Sequence, residues 1–422
     1  MSVLIKNATI IDSNSNFNHQ KKDIYIENGK IIAIENSISK EADTIISEED
    51  LHVSPGLFDF RANFGEPGLE TKEDITSGTN AAAKGGFTGV AVMPNTTPTI
   101  SNRNTVEYIV NRAKGNLIDV HPIGSVSQNI EGKELAEMYD MKLAGAVAFS
   151  DNKKAIQNPN LLSRALLYNK SFNGLVISFA NDEQMNHKGQ MNEGIISTTL
   201  GLEGAPHLAE EIQISRDLYL AEYNETPIHF ASISSAKSAD LIATAKGSNT
   251  AISSDIAAHQ IVFTDEVMTG FDSNYKVSPP FRLQKDIDGL IKGLKSGAIN
   301  VICSDHTPRE IEDKELEFDL AKFGIINLQT AFPSMLTHLV PKTSLDLVID
   351  KMAIEPRRIL NLPIPTVSEN EASNLVIYSP SKKWTLSKKE LVSKSKNSPF
   401  IGTEFTGKVI AVINNNQIKL NN

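Results

Sequence analysis

Apolar positions along this chain recur in two rhythms. Near both ends they form short alternating runs cut by polar turns. At the start these are Ser2–Ile11, Lys22–Glu27 and Lys30–Ile34, with Asn28-Gly29 as a hairpin signal between the last two. At the end they are Asn374–Tyr378, Gly407–Ile413 and Gln417–Leu420, with Asn414-Asn415-Asn416 as a turn. Two β segments flanking a long middle predict one small β-domain built from both termini, residues 1–54 and 369–422.

The middle, residues 55–368, alternates differently. Strand-like apolar runs fall at Leu57–Asn63, Thr88–Asn95, Leu117–Val126, Ala146–Asp151, Leu175–Asn181, Pro227–Ser234, Ala251–Ile256 and Ala298–Asp305. Helical patterns lie between them at Glu73–Lys84, Thr105–Lys114, Lys133–Ala144, Leu161–Asn169, Leu208–Glu222, Ala236–Lys246 and Ile287–Lys295. Eight strands alternating with helices predict an α/β fold, a (β/α)8 TIM-type barrel, whose chemistry belongs at the C-terminal ends of the strands.

Composition narrows the function. A net charge of −10 argues against a nucleic-acid partner or an anionic membrane surface, both of which select basic patches. One cysteine, Cys303, excludes an internal disulfide and a cysteine-built zinc knuckle. The first residues carry no basic segment leading into a long apolar stretch, and no apolar run reaches membrane-spanning length. Cytoplasm is the expected compartment.

The strand ends carry recognisable blocks. Val53-Ser54-Pro55-Gly56-Leu57-Phe58-Asp59-Phe60 leads through Phe64-Gly65-Glu66-Pro67-Gly68 to Met93-Pro94-Asn95-Thr96. Later blocks are Ala148-Phe149-Ser150-Asp151, Met191-Asn192-Glu193-Gly194, Val277-Ser278-Pro279-Pro280-Phe281-Arg282 and Ser304-Asp305-His306-Thr307-Pro308. Together they resemble dihydroorotases, of the long bacterial type that associates with aspartate transcarbamoylase, over essentially the whole chain. The resemblance implies an amidohydrolase-superfamily barrel that interconverts carbamoyl aspartate and dihydroorotate in pyrimidine biosynthesis. It also implies a zinc held by a His-x-His pair, a bridging acid, two later histidines and a final aspartate that shuttles the proton.

Transferred to this sequence, the pair falls on Arg61 and Asn63, and the later histidines on Phe179 and Ser232. A guanidinium is a permanent cation and cannot ligate zinc. Only the acids remain, Asp151 and the proton-shuttle position Asp305. None of the nine histidines forms a His-x-His pair. His229 lies three residues before Ser232, and His306 adjoins Asp305, so strand alternation turns each away from the site; His187 reads as a loop residue. The substrate-contact positions that the resemblance implies are changed too. The carboxylate-binding arginine is Gly65, the asparagine before Pro-Pro is Ser278, and the histidine after the Asp-His block is Arg309; Asn95 alone is kept.

Two acids without imidazole or thiolate make a poor zinc site, so no cofactor is expected. Removing a dication from between them leaves repelling carboxylates that need another cation. Arg61 is expected to enter the former metal region and pair with Asp305 and also Asp151, with Phe179 filling volume an imidazole would take. The leading expectation is a pseudoenzyme, a structural or regulatory partner of aspartate transcarbamoylase, with self-association beside that partner or in its place. Two alternatives stay open: an active dihydroorotase with a rebuilt zinc site, and a different hydrolase or binding barrel for a small anion held between Arg282 and Arg309.

Overall fold

The computed structural model describes residues 1–247 and 251–421. Strands β1 (Ser2–Ile10), β2 (Lys21–Glu27), β3 (Lys30–Glu35), β4 (Thr44–Ile46) and β5 (His52–Pro55) open the chain. The barrel strands are β6 (Leu57–Ala62), β7 (Phe87–Val92), β8 (Asp119–Pro122), β9 (Phe149–Ser150) and β10 (Val176–Phe179). A two-stranded insertion follows, β11 (Met191–Asn192) with β12 (Gly204–Ala205), before β13 (Ile228–Ala231), β14 (Ile252–Ala257) and β15 (Val301–Cys303) complete the barrel. Then β16 (Leu375–Thr385), β17 (Glu404–Asn414) and β18 (Gln417–Leu420) return to the first sheet.

The barrel forms as two parallel ribbons, β6-β7-β8 and β9-β10-β13-β14-β15. Single parallel bridges, Gly124 to Phe149 and Ala62 to His306, close its two seams. The second seam sets the first strand beside the eighth, which brings Arg61 and Asp305 to one side of the mouth. Every residue of β6 and β7 is buried, as parallel strands covered on both faces require. Phe58, Phe60, Met93, Ile123, Ile177, Val301 and Cys303 fill the interior.

Helices α1 (Ile75–Lys84), α2 (Arg103–Ala113), α3 (Met138–Ala144), α4 (Pro159–Lys170), α5 (Ile195–Leu200), α6 (His207–Asn224), α7 (Ala236–Ala245) and α8 (Gln284–Ser296) follow their strands or the insertion. Their starts obey local chemistry. Asp74 caps α1 by accepting from the Ser77 amide at 2.6 Å, which starts that helix at Ile75 and frees Glu73 for the interior. Asn102, Asn158 and Ser235 cap α2, α4 and α7 in the same way. The helix expected over Lys133–Ala144 begins only at Met138. The Gln128 amide donates to Glu134 O at 2.8 Å and Ala136 to Val126 O at 2.9 Å, so this stretch satisfies its backbone as a turn. A further helical run, Ala331–His338 with Leu345–Ile359 after it, escaped the sequence reading. Ala331 through Leu336 are all buried, so no polar face marks the period.

The terminal sheet runs β18-β17-β16-β5-β1-β2-β3, with β4 on β1. Its core packs Val3, Ile5, Ile24, Ile26 and Val53 against Leu375, Ile377 and Ile413, joining both ends of the chain. Among the described residues no helix is long and apolar enough to cross a membrane.

Asn414 fastens this sheet to the barrel. Its amide nitrogen reaches Leu117 O at 2.9 Å, Asp119 Oδ2 at 3.0 Å and Thr88 O at 3.3 Å. Asn414→Ala strands those buried carbonyls, and urea unfolding is expected to show a loss of roughly 2 kcal/mol with circular dichroism unchanged.

Candidate functional site

At the barrel mouth the Arg61 side chain turns inward and is 1% exposed. Its Nε donates to Asp255 Oδ2 at 3.0 Å and its Nη2 to Asp255 Oδ1 at 3.1 Å, a two-pronged grip on one carboxylate. Nη2 also reaches the Ser232 hydroxyl and, at 3.3 Å, Cys303 Sγ. Nη1 faces Asp305 Oδ1 at 3.3 Å. The second oxygen of Asp305 accepts from the Lys153 ammonium at 2.6 Å. Two carboxylates and two cations therefore alternate in one chain, Asp255–Arg61–Asp305–Lys153.

His229 and Ser232 complete the shell of Asp255. His229 Nε2 lies 3.0 Å from Asp255 Oδ2, while its Nδ1 lies 2.8 Å from Ser253 Oγ. Burial lowers the pKa of this imidazole and favours its neutral form, in which Nε2 carries the proton toward the carboxylate. The Ser232 amide gives Asp255 Oδ1 a further bond at 2.8 Å. Burial acts to raise the Asp255 carboxyl, but Arg61 and His229 outweigh it and hold the group well below the ordinary range. Burial likewise depresses the Lys153 ammonium, with Asp305 opposing.

Strand alternation failed as a guide to His229. The sequence placed it opposite Ser232, yet both converge on Asp255. β13 ends at Ala231, and Ser232 takes φ +52°, in the left-handed region. Asp305 does the same beyond β15, at φ +53°. Alternation holds only in extended backbone, and such strained residues gather at strand ends where side chains are re-aimed.

Asp151 also departs from expectation. It is not a partner of Arg61; its Oδ1 accepts from the Val126 and Ser127 amides at 2.9 and 3.0 Å, and its Oδ2 from the Ser127 hydroxyl. It braces the turn after β8. Asn63 donates to His306 O at 2.8 Å and Thr307 Oγ1 at 3.1 Å. His306 packs away from the mouth, with Nε2 3.4 Å from Glu73 Oε2 and Nδ1 accepting from Asn327. Phe179 is buried at the end of β10, Asn95 is half-buried after β7, and Ser278 is half-buried beside Pro279.

The anion site expected between Arg282 and Arg309 is not formed. Arg282 is buried and spent on Ser234 Oγ, Asn192 Oδ1 and Ala205 O. Arg309 donates its Nε to Phe323 O at 2.8 Å and lines a cavity of about 500 Å³ together with Lys314, Lys394 and Glu312; Arg282 is not part of that lining. Gly65 is held by space. A Cβ there would lie 2.2 Å from Leu69 O and 2.8 Å from Glu73 O, so no larger side chain fits without moving the loop.

Comparisons with known proteins set this site in a family. The pattern described as "Dihydro-orotase-like" matches residues 51–238. A protein named dihydroorotase from Ruminiclostridium cellulolyticum is 40% identical over 405 residues, covering 95% of this chain and 94% of its own. Another of that name, from Syntrophus aciditrophicus, is 41% identical over 418 residues and covers 98% of both. The chain belongs to the dihydroorotase family. Its fold is also that of L-hydantoinase (dihydropyrimidinase) from Arthrobacter aurescens, with a TM-score of 0.86 at 21% identity, covering 99% of this chain and 95% of that one.

The dihydroorotase metal does not fit the side chains at the mouth. The donor set that the family resemblance requires, imidazoles around a bridging acid, is replaced by a guanidinium and an ammonium already seated on Asp255 and Asp305. A dication there would meet two resident positive charges before any ligand. Among the described residues, no group of three or more His, Cys, Asp or Glu side chains is arranged to hold a metal ion. Among the described residues, buried His259 has no hydrogen-bond partner at either ring nitrogen, and its pKa is pushed down to about 4 by burial.

Sequence reasoning missed Asp255 and Lys153. An acid inside the apolar strand run Ala251–Ile256 was a readable sign, because buried carboxylates need partners. Lys153 gave no such sign: it sits in the polar stretch Asp151-Asn152-Lys153-Lys154, where only the fold distinguishes it from Lys154.

Two outcomes follow from this network. Arg61→Met leaves two buried carboxylates short of a cation, and denaturant titration is expected to show roughly 3–5 kcal/mol lost. Asp59, on β6 and bonded to the Ser304 amide at 2.7 Å and hydroxyl at 2.5 Å, is raised to about 7 by burial, which those bonds and Arg61 only partly offset. A raised carboxyl contributes stability that is complete below its ordinary value of 3.8 and is lost as pH rises through about 7. Asp59→Asn removes that decline, so from pH 5 to pH 8 the variant is expected to gain on the parent by on the order of 2 kcal/mol. A constant difference across that range contradicts the assignment.

Proposed function

We propose that this dihydroorotase-family chain is a pseudoenzyme of pyrimidine biosynthesis, a structural or regulatory partner of aspartate transcarbamoylase. The observation that carries the reading is the Arg61 guanidinium, buried between Asp255 and Asp305 where the family's zinc chemistry is centred. Hydrolysis of a cyclic amide by this family's route needs a Lewis acid and a hydroxide of near-neutral pKa. A guanidinium can polarise but cannot lower the pKa of a coordinated water, because it coordinates none.

The substrate contacts support the same reading. With Gly65 walled in by the Leu69 and Glu73 carbonyls and Arg282 turned to Ser234, Asn192 and Ala205, neither position offers a cation to the carboxylates of carbamoyl aspartate. The barrel around them is kept whole, with its seams closed and its core filled. Selection that retains a barrel without its chemistry acts on surface or assembly. Identity near 40% to proteins named dihydroorotase favours the other reading, an active enzyme with a rebuilt site, and the two separate cleanly.

Purified protein is expected to carry no stoichiometric zinc by metal analysis, to show no ring closure of carbamoyl aspartate, and to co-purify with aspartate transcarbamoylase. About one zinc per chain together with turnover establishes the active enzyme instead. Arg61→His alone is expected to restore neither metal nor turnover, since Asn63, Phe179 and Ser232 still supply no imidazole.

A further inference from the structure

Outside the mouth, the loop that follows β15 is held by three cations whose hydrogen bonds all go to backbone carbonyls. Lys314 Nζ donates to Lys322 O at 2.8 Å and Gly324 O at 3.2 Å, and Arg309 Nε to Phe323 O at 2.8 Å. Lys276 Nζ donates to Phe318 O at 2.6 Å and Asp319 O at 3.0 Å. Asn397 pins the same turn, donating to Thr307 O and Gly324 O at 3.0 Å each and accepting from the Arg309 amide at 3.1 Å. Gly324 takes φ +132°, and a Cβ there would lie 2.5 Å from Thr307 Cγ2, so the turn closes only on glycine.

Arg309 and Lys314 line a cavity of about 500 Å³, together with Lys388 and Lys396 from the segment after β16. Lys396 Nζ is likewise given to carbonyls, those of Leu391 and Ser393, each at 2.6 Å. Lys394, also in the lining, is paired with Asp74 at 2.5 Å. Donors are left over: among the described residues, both terminal nitrogens of Arg309 and the Lys388 ammonium have no partner, and Lys314 keeps one N–H free. Acids share the cavity, but charge is ordered by depth. Lys314 is buried and Arg309 and Lys396 are half-buried, whereas Asp272, Glu312 and Glu315 are exposed. Neither these three nor half-buried Glu310 forms an ion pair among the described residues. Burial, then Arg309 and Lys276, push the Lys314 ammonium down to about 7, with Asp272 and Asp313 opposing. Cations crowded in this way repel one another, and an anion seated between them relieves it.

We propose that this outer cavity binds a small phosphorylated ligand, with a phosphate seated between Arg309 and Lys314. The free edge of Arg309 offers paired N–H groups, the geometry that grips a phosphate, and the lysines add point charge. The unpaired cations exceed what one carboxylate neutralises, while a phosphate carries close to two charges. Ile311 and Ile401 supply an apolar wall for the rest of the ligand. Because the cations are fixed on the carbonyls of a pinned turn, little ordering remains to be done on binding. Arg61, Asn63, Asn95, Ser278 and Asp305 take no part in the lining, so binding here is independent of whether the mouth turns over substrate.

Calorimetric titration of the full chain with inorganic pyrophosphate, at constant ionic strength, tests this. One pyrophosphate per chain is expected to bind with submillimolar affinity. Arg309→Met and Lys314→Met are each expected to weaken it by about tenfold or more. Lys388→Met, at an exposed position where folding is not at stake, is expected to weaken it by about threefold. Lys237→Met on α7, equally exposed but outside the cavity, is expected to bind as the parent does. A parent that binds no pyrophosphate at millimolar concentration overturns the proposal. So does undiminished binding by the Arg309→Met and Lys388→Met variants, an equal loss in Lys237→Met, or succinate binding as tightly as pyrophosphate.

Discussion

A guanidinium taken out of water costs several kcal/mol, and each carboxylate buried with it costs a comparable amount. At about 3 Å and an effective dielectric near 20, each attractive contact returns roughly 5 kcal/mol. The balance at the mouth of this barrel is therefore close, and geometry decides it. Arg61 meets Asp255 through two nitrogens, Ser232 and Cys303 through one of these, and Asp305 through the third. Lys153 donates to Asp305 Oδ2, and Ser232 and His229 add bonds to Asp255, while Asp305 Oδ1 has only its ion pair with Arg61 among the described residues. If one ion is lost, the others remain buried without compensation, so strands β6, β13, β14 and β15 are coupled through a single residue.

That coupling ties the strand ends together by charge pairing between side chains. In a zinc amidohydrolase a dication pulls ligands from several strands to one point. Here two side-chain cations do the same work of neutralisation, and the strand ends are bent to suit them, with Ser232 and Asp305 both in the left-handed region. The rest of the mouth is braced by bonds that do not involve the network. Asp151 holds the turn after β8, Asn63 holds the His306 carbonyl, and His306 is locked by Glu73 and the Asn327 amide. Asn63 and Asp151 thus each carry a hydrogen-bonding task in the packing of the mouth, while Phe179 fills space.

The sequence by itself determined the architecture. Period-two runs at both ends and alternating strand and helix patterns between them are local signals, set by which side chains must leave water, so they survive without tertiary knowledge. The sequence also showed that Arg61, Asn63, Phe179 and Ser232 offer no imidazole, and that Arg61 had to find an acid. What only the tertiary structure decided was which acid. Asp255 on β14 and Asp305 just beyond the neighbouring β15 are fifty residues apart, and Asp151, which the chain order made a candidate, was claimed by the amides of its own turn. His229 joined the cluster because one residue at the end of β13 left the extended conformation, and Lys153 because its loop folds over the mouth. Strand alternation and composition fix what a residue needs; the pairing it receives depends on seams and loop paths that bring distant segments within 3 Å or so of one another, where electrostatic and hydrogen-bond energies change most steeply with distance.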